Sequence, residues 1–265
     1  PDVEALRAAQ AAQQRAGERA LRRALEALPD ADPDGWVLRR ASNGRPLLIR
    51  ADQGGVAAAA ETGAAVDTAD GAGAATETGA AVHTVGGAGA VAETGAVAIE
   101  GDHGRNGNDR LAAADALHVS VAHTDGLVVA CVHRDGPVGV DVERVGRPLR
   151  VDALSRRYLS PIEQDLLRAL PLTDRHEAFL RLWVLKEAVA KQVSSGLATA
   201  LATPLLDAHG ALVVPSIAHP GSAFHAGVIA GTHHVALLCP ALPEPPTLLG
   251  TTLHRVRRPL AGGET

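Results

Sequence analysis

Three copies of one phrase divide this chain: Glu61-Thr-Gly-Ala-Ala-Val, Glu77-Thr-Gly-Ala-Ala-Val and Glu93-Thr-Gly-Ala-Val, each 16 residues after the last. They lie in a segment, 51–110, that holds 13 of the 28 glycines and nine acidic residues against Arg105 and Arg110. A solenoid of that period would stack large apolar side chains from repeat to repeat. Here the repeating apolar residues are mostly alanine, which buries little, and glycine loses the most freedom on ordering. The expectation is a low-complexity insertion without chemistry of its own, with a short glycine-rich β-structure serving a partner as the alternative. The segment carries 2 − 9 = −7, so the remainder of a chain of net charge −5 carries +2.

Outside the insertion the composition is that of a globular protein. The 265 residues are 46% apolar and 21% charged, enough for one large domain or two small ones. We expect a half over 1–138 that contains the insertion, a half over 139–245, and a Pro- and Arg-rich tail over 246–265 that frays. Only Trp36, Tyr158, Phe179, Trp183 and Phe224 are aromatic. With a net negative charge, that argues against a nucleic-acid partner. No apolar run has a membrane span's length and the first residues show no secretory h-region, so the expected setting is the cytoplasm. Cys131 and Cys239, far apart in apolar stretches, read as buried thiols rather than a disulfide or metal site.

Residue patterning predicts a mixed α/β (α+β) fold. Ala5–Leu28 reads as one weakly amphipathic helix through Leu6, Leu21, Leu25 and Leu28. Trp36–Arg40 and Pro46–Arg50 form strands about an Asn43-Gly44 turn. Leu117–Val121, Gly126–His133 and Val138–Val142 follow as strands, with further strands at Ala211–Val214, Ala226–Ala230 and His234–Leu238. Helices are expected over Val151–Tyr158, Ser160–Ala169 and His176–Gln192; the second opens on Ser160-Pro-Ile-Glu163, a cap followed by its capping-box partner.

Two motifs carry the chemistry. In Gly139-Val-Asp141-Val-Glu143 the carboxylates alternate with valines, so both fall on one strand face roughly 7 Å apart. Such a pair suits Mg²⁺, a hard cation that keeps waters for a phosphate to displace. Alone it would read as a solvated strand face. The second motif, Trp183-Val-Leu-Lys186-Glu187-Ala-Val-Ala-Lys191, sets Glu187 and Lys191 on one helix face, and these charges interrupt an otherwise apolar helix. Together the two motifs offer three carboxylates and a lysine to a metal-bound pyrophosphate.

This pairing resembles the 4′-phosphopantetheinyl transferase superfamily, in its surfactin-synthetase-type branch. That family pairs a G-[IV]-D-x-E strand with a later W-x-x-K-E-[AS]-x-x-K helix. Ser160–Glu163, Gly196-Leu197, Ala122-His123-Thr124 and Gly44-Arg45-Pro46 with Arg40 are similar to its remaining signatures. The match covers 117–200 well and 15–50 loosely.

The resemblance implies two pseudo-symmetric halves, each a small mostly antiparallel sheet packed with helices, with coenzyme A in the cleft between them. It implies Mg²⁺-dependent transfer of 4′-phosphopantetheine from coenzyme A to a serine of an apo acyl or peptidyl carrier protein, releasing 3′,5′-ADP, by a monomer serving polyketide, fatty-acid or nonribosomal peptide assembly. Asp141, Glu143 and Glu187 would hold the metal. Arg40, Arg45, His123 and Lys191 would meet coenzyme A phosphates. Glu187 is the first choice of general base and Glu163 the second, with Lys191 holding a phosphate oxygen. Lys186 reads as a structural residue snorkelling from its helix. Two rivals stand beside this reading: another Mg²⁺ phosphoryl enzyme on the same carboxylates, and a non-catalytic homologue that binds carrier protein or coenzyme A. Ser194 stands where the family commonly has glycine, and Ala122 where it has serine.

Overall fold

The computed structural model describes residues 3–28, 33–40, 46–50, 93–99, 116–134, 136–194, 197–242, 244–249 and 251–260. Arg45 and most of the repeat segment lie outside the described residues.

The first half is a five-stranded sheet backed by one long helix. Helix α1 (Val3–Glu26) precedes β1 (Trp36–Arg40) and β2 (Pro46–Arg50), an antiparallel hairpin. Then come β3 (Glu93–Ile99), β4 (Ala116–Thr124) and β5 (Leu127–His133), in the sheet order β1-β2-β4-β5-β3. All pairings are antiparallel except β3 with β5. The third repeat phrase is therefore an edge strand, a β-structure inside the segment read as a low-complexity insertion without chemistry of its own.

The helix packs through the face expected at Leu25 and Leu28, extended by alanines that hydropathy alone does not pick out. Ala16, Ala20 and Ala24, spaced four apart, are fully buried on Val128, Ala130 and their neighbours, with Leu25 and Leu28 alongside. Small side chains at that spacing let a helix lie close against a sheet. Leu21 is only partly buried beside them.

The second half mirrors this layering. β6 (Gly139–Arg144) leads into α2 (Val151–Tyr158), α3 (Pro161–Ala169), α4 (Leu172–Val193) and α5 (Leu197–Ala202), and β7 (Ser222–Ile229) and β8 (His233–Pro240) complete the sheet. Its order is β11-β7-β8-β6, all antiparallel, where β11 is His254–Arg255; β9 (Thr247–Leu248) and β10 (Thr251–Thr252) form a separate ribbon. Ala211–Val214, expected as a strand, contributes only an isolated bridge between Leu206 and Leu212.

The two sheets face each other. Strand alternation sends Leu127, Val129 and Cys131 of β5 and Val138, Val140 and Val142 into a shared apolar layer with Val235, Leu237 and Cys239. Both cysteines are buried free thiols. The Val140 N–H donates to Ser120 Oγ across the layer at 3.0 Å. The tail does not fray over its described part. Leu248 and Leu253 are fully buried in this layer, and β11 extends the second sheet. Proline and arginine composition hid those two leucines. The result is helix, sheet, sheet, helix: a mixed α/β fold of two similarly built halves.

Helix α4 covers the outer face of the second sheet and is buried nearly all round. Phe179 stacks on Trp183 at 5.7 Å and Tyr158 meets the same indole edge-on at 5.5 Å. β6 lies so close to this helix that a Cβ on Gly139 would stand 1.9 Å from Ala188 O and 2.7 Å from Gln192 N. Glycine at 139 is thus what allows the strand and the helix to meet. Gln192 ties the same corner, donating to Pro137 O (3.0 Å) and Ser222 Oγ (2.9 Å) and accepting from the His219 N–H (3.1 Å).

Candidate functional site

Because Gly139 brings β6 onto the last turns of α4, the strand's two carboxylates come to rest beside the helix's charged residues. Asp141 and Glu143 pair in register with Ala236 and His234 and share the face that looks at α4. Both are buried. Lys191 Nζ donates to Asp141 Oδ1 at 2.8 Å. Arg147, in the turn that follows β6, forms a salt bridge with Glu143 Oε1, and Thr124 Oγ1 donates to Glu143 Oε2 at 3.3 Å. A small cavity of about 150 Å³ opens here, lined by Glu143, Arg147, Leu149, Leu154, Phe179, Trp183 and Glu187.

Electrostatics mark the cluster as a place where negative charge is hard to hold. Burial raises the Asp141 and Glu143 carboxyls above the usual range, against the pull of Lys191 on the first and Arg147 on the second. Glu187 is pushed up to about 7, first by burial and then by the charge of Asp141, while Lys191 opposes. Asp141 raises Glu143, and both raise Glu187, a crowding of carboxylates that a hard cation relieves. Asp141 Oδ2 is buried with no hydrogen-bond partner of ordinary geometry, an acceptor left open. Among the described residues no three acidic, His or Cys side chains stand in a ready ligand arrangement. Glu143 is turned to Arg147 and Asp141 to Lys191. The chemistry of the residues fits a divalent cation, with the two basic side chains as its present counter-charges.

Sequence reasoning brought Asp141, Glu143, Glu187 and Lys191 to one place, and the fold does the same. His123 lies exposed near the end of β4. Partial burial lowers its pKa; Lys191 lowers it further and Glu143 opposes, so the ring stands within reach of the cluster's charges. Arg40 ends β1, opposite Pro46.

Glu163 is different. It is fully buried, and both oxygens are occupied: Oε2 accepts from Ser160 N at 2.8 Å and Oε1 from Leu205 N at 2.7 Å. Lys186 Nζ sits 3.0 Å from Oε2. The capping box found in the sequence is present in full, and it takes the carboxylate that was the second choice of base. Lys186 does not snorkel. It is fully buried and also donates to Leu201 O (2.9 Å) and Thr203 O (2.8 Å), at the end of α5. Glu163 and Lys186 form a structural pair that joins α3, α4 and the segment after α5.

Arg147 was not singled out from the sequence, and Thr124 entered only as part of the Ala122-His123-Thr124 signature. The one available signal was the basic residue four positions beyond Glu143, and that falls in a turn where no periodicity applies.

Residues 137–232 match the family model of the 4'-phosphopantetheinyl transferase superfamily. That span contains β6, Glu143, Glu187 and Lys191. The part of the chain that carries the site is thus similar to this superfamily. A stretch of 90 residues is 31% identical to the 4'-phosphopantetheinyl transferase HetI of Nostoc sp. (strain PCC 7120 / SAG 25.82 / UTEX 2576), covering 34% of this chain. The match spans 38% of that relative's length.

Proposed function

We propose that this protein transfers 4′-phosphopantetheine from coenzyme A to a serine of an apo acyl or peptidyl carrier protein, releasing 3′,5′-ADP. The observation that carries this reading is the meeting of Asp141, Glu143 and Glu187 with Lys191 on one face of β6 and α4, inside the segment that matches the superfamily. Asp141, Glu143 and Glu187 would hold Mg²⁺, and the ion would supply neutralising charge to the coenzyme A pyrophosphate.

The chain's own groups supply the rest. Glu187, whose carboxyl burial and the charge of Asp141 push up to about 7 in the metal-free chain, is the first choice to accept the serine hydroxyl proton. Lys191 and Arg147 are cations placed beside the carboxylates, where an incoming phosphate oxygen finds a partner for each. His123 meets coenzyme A phosphates at the edge of the site, and Arg40 and Arg45 do so from the first half. The nucleophile is the partner's serine, so the chain needs no Ser-His-Asp set of its own. Two similarly layered halves in one chain suit a monomer that takes coenzyme A between them. No described helix is long and apolar enough to cross a membrane, and we place the reaction in the cytoplasm.

The test is product release. Incubated with coenzyme A, Mg²⁺ and a panel of apo carriers, the protein should liberate 3′,5′-ADP, one per carrier, with at least one of them. Replacing that carrier's acceptor serine by alanine should abolish the release. Nucleotide release that continues without the serine would indicate a hydrolase instead.

A further inference from the structure

We propose a second binding site in this chain, for a short amphipathic oxyanion: a carboxylate or phosphate head on a hydrocarbon body. A cleft of about 290 Å³ opens between α4, β7, β8 and the tail. Its apolar lining comes from Val184, Leu185, Ala226, Val228, Val235 and Val256. Its polar lining is strongly one-sided. Arg181, Arg255, Arg257 and Arg258 face one acid, Glu177, so the charged lining sums to 4 − 1 = +3. Glu177 is itself engaged, by His234 and by Arg181 at 3.8 Å.

The arginines sit on fixed backbone. Arg255 pairs with His225 in the sheet, the Val256 N–H donates to Phe224 O at 3.0 Å, and Arg257 O accepts from the Leu212 N–H at 2.6 Å. Among the described residues the Arg255 and Arg257 side chains have no hydrogen bond or ion pair. Unpaired guanidinium groups at the rim of an apolar concavity are placed to grip a planar oxyanion through two parallel hydrogen bonds. The apolar lining takes the attached body, and a volume at the low end of small-ligand pockets limits that body to a short chain. No residue lines both this cleft and the cavity at the carboxylate cluster. The site is therefore separate from the transferase centre, and the proposal does not depend on that reading.

The experiment is calorimetric titration of the full chain with octanoate and with octyl phosphate, using octanol and octylammonium as controls. At least one anion should bind saturably at one site, and the preferred head identifies the oxyanion. The controls should bind more weakly. Affinity should fall by roughly tenfold or more in Arg255→Glu/Arg257→Glu, whose changes are on the surface. It should fall similarly in Ala226→Leu, which fills the cleft. Saturating coenzyme A should leave binding unchanged. The proposal is overturned if neither anion binds, if octanol binds as well, or if the arginine variant, folded by circular dichroism, binds like wild type. Displacement by coenzyme A would also overturn it, by placing the anion in the other site.

Discussion

If Glu163 holds the fold together and Glu187 does the chemistry, neutralising each carboxylate should have opposite consequences. Glu163→Gln keeps an oxygen for one backbone N–H but leaves Lys186 without its carboxylate partner in a fully buried position. Removing one member of a buried pair is destabilising by about 3–5 kcal/mol, because the remaining charge is uncompensated. Lys186 retains its bonds to Leu201 O and Thr203 O, which favours the lower end. Even so, the loss is a large share of a typical domain's stability. Lys186→Met should lose a similar amount, and the double variant should lose clearly less than the two singles summed. Urea unfolding followed by circular dichroism gives these values. Turnover of the folded Glu163→Gln protein should stay within a few-fold of wild type, whereas Glu187→Gln should lose at least about a hundredfold while remaining folded. A Glu163→Gln protein as stable as wild type but without turnover would refute this assignment and return Glu163 to the reaction.

Further expectations follow from neighbouring residues. Glu187 titrates near 7 folded against 4.5 as a free carboxyl, so its protonation contributes stability that is complete below pH 4.5 and lost as pH rises through 7. In metal-free protein, wild type minus Glu187→Gln should therefore show a decline of about 3 kcal/mol between pH 4 and pH 9 in urea unfolding. A flat difference would contradict it. Gly139→Ala places a methyl group against the backbone of α4 and should destabilise by about 3 kcal/mol, seen as a lowered Tm. Ser194 caps α4 at φ 51°, a left-handed conformation, so Ser194→Gly should stabilise by about 1 kcal/mol in the same assay.

What could be read in the residues was whatever depends on short-range order. The alternation of Asp141 and Glu143 about Val142, the four-residue spacing of Glu187 and Lys191, and the Ser160–Glu163 box are local patterns, and each is found in the fold. The errors arose where distant segments decide. Glu163 is fixed by Lys186 and by the N–H of Leu205, which lies 42 positions away, and no local spacing shows that. Arg147 reaches Glu143 from a turn. Beyond Leu25 and Leu28 the α1 seam is made of alanines, which a search for leucines passes over, and the tail's two buried leucines are surrounded by residues that usually mark loose ends. The residues of the first half expected to meet coenzyme A were fixed by resemblance alone: Arg40 closes β1, and Arg45 lies outside the described residues.

The most direct test of the central claim is the intact mass of a panel of apo carrier proteins after incubation with this protein, coenzyme A and Mg²⁺. The account predicts that at least one carrier gains a single phosphopantetheinyl group, and that the gain disappears with a chelator, with Asp141→Asn and with Glu187→Gln. If no carrier gains mass while coenzyme A still binds, the chain is a binding homologue rather than a transferase, and the carboxylate cluster does not perform the transfer proposed for it.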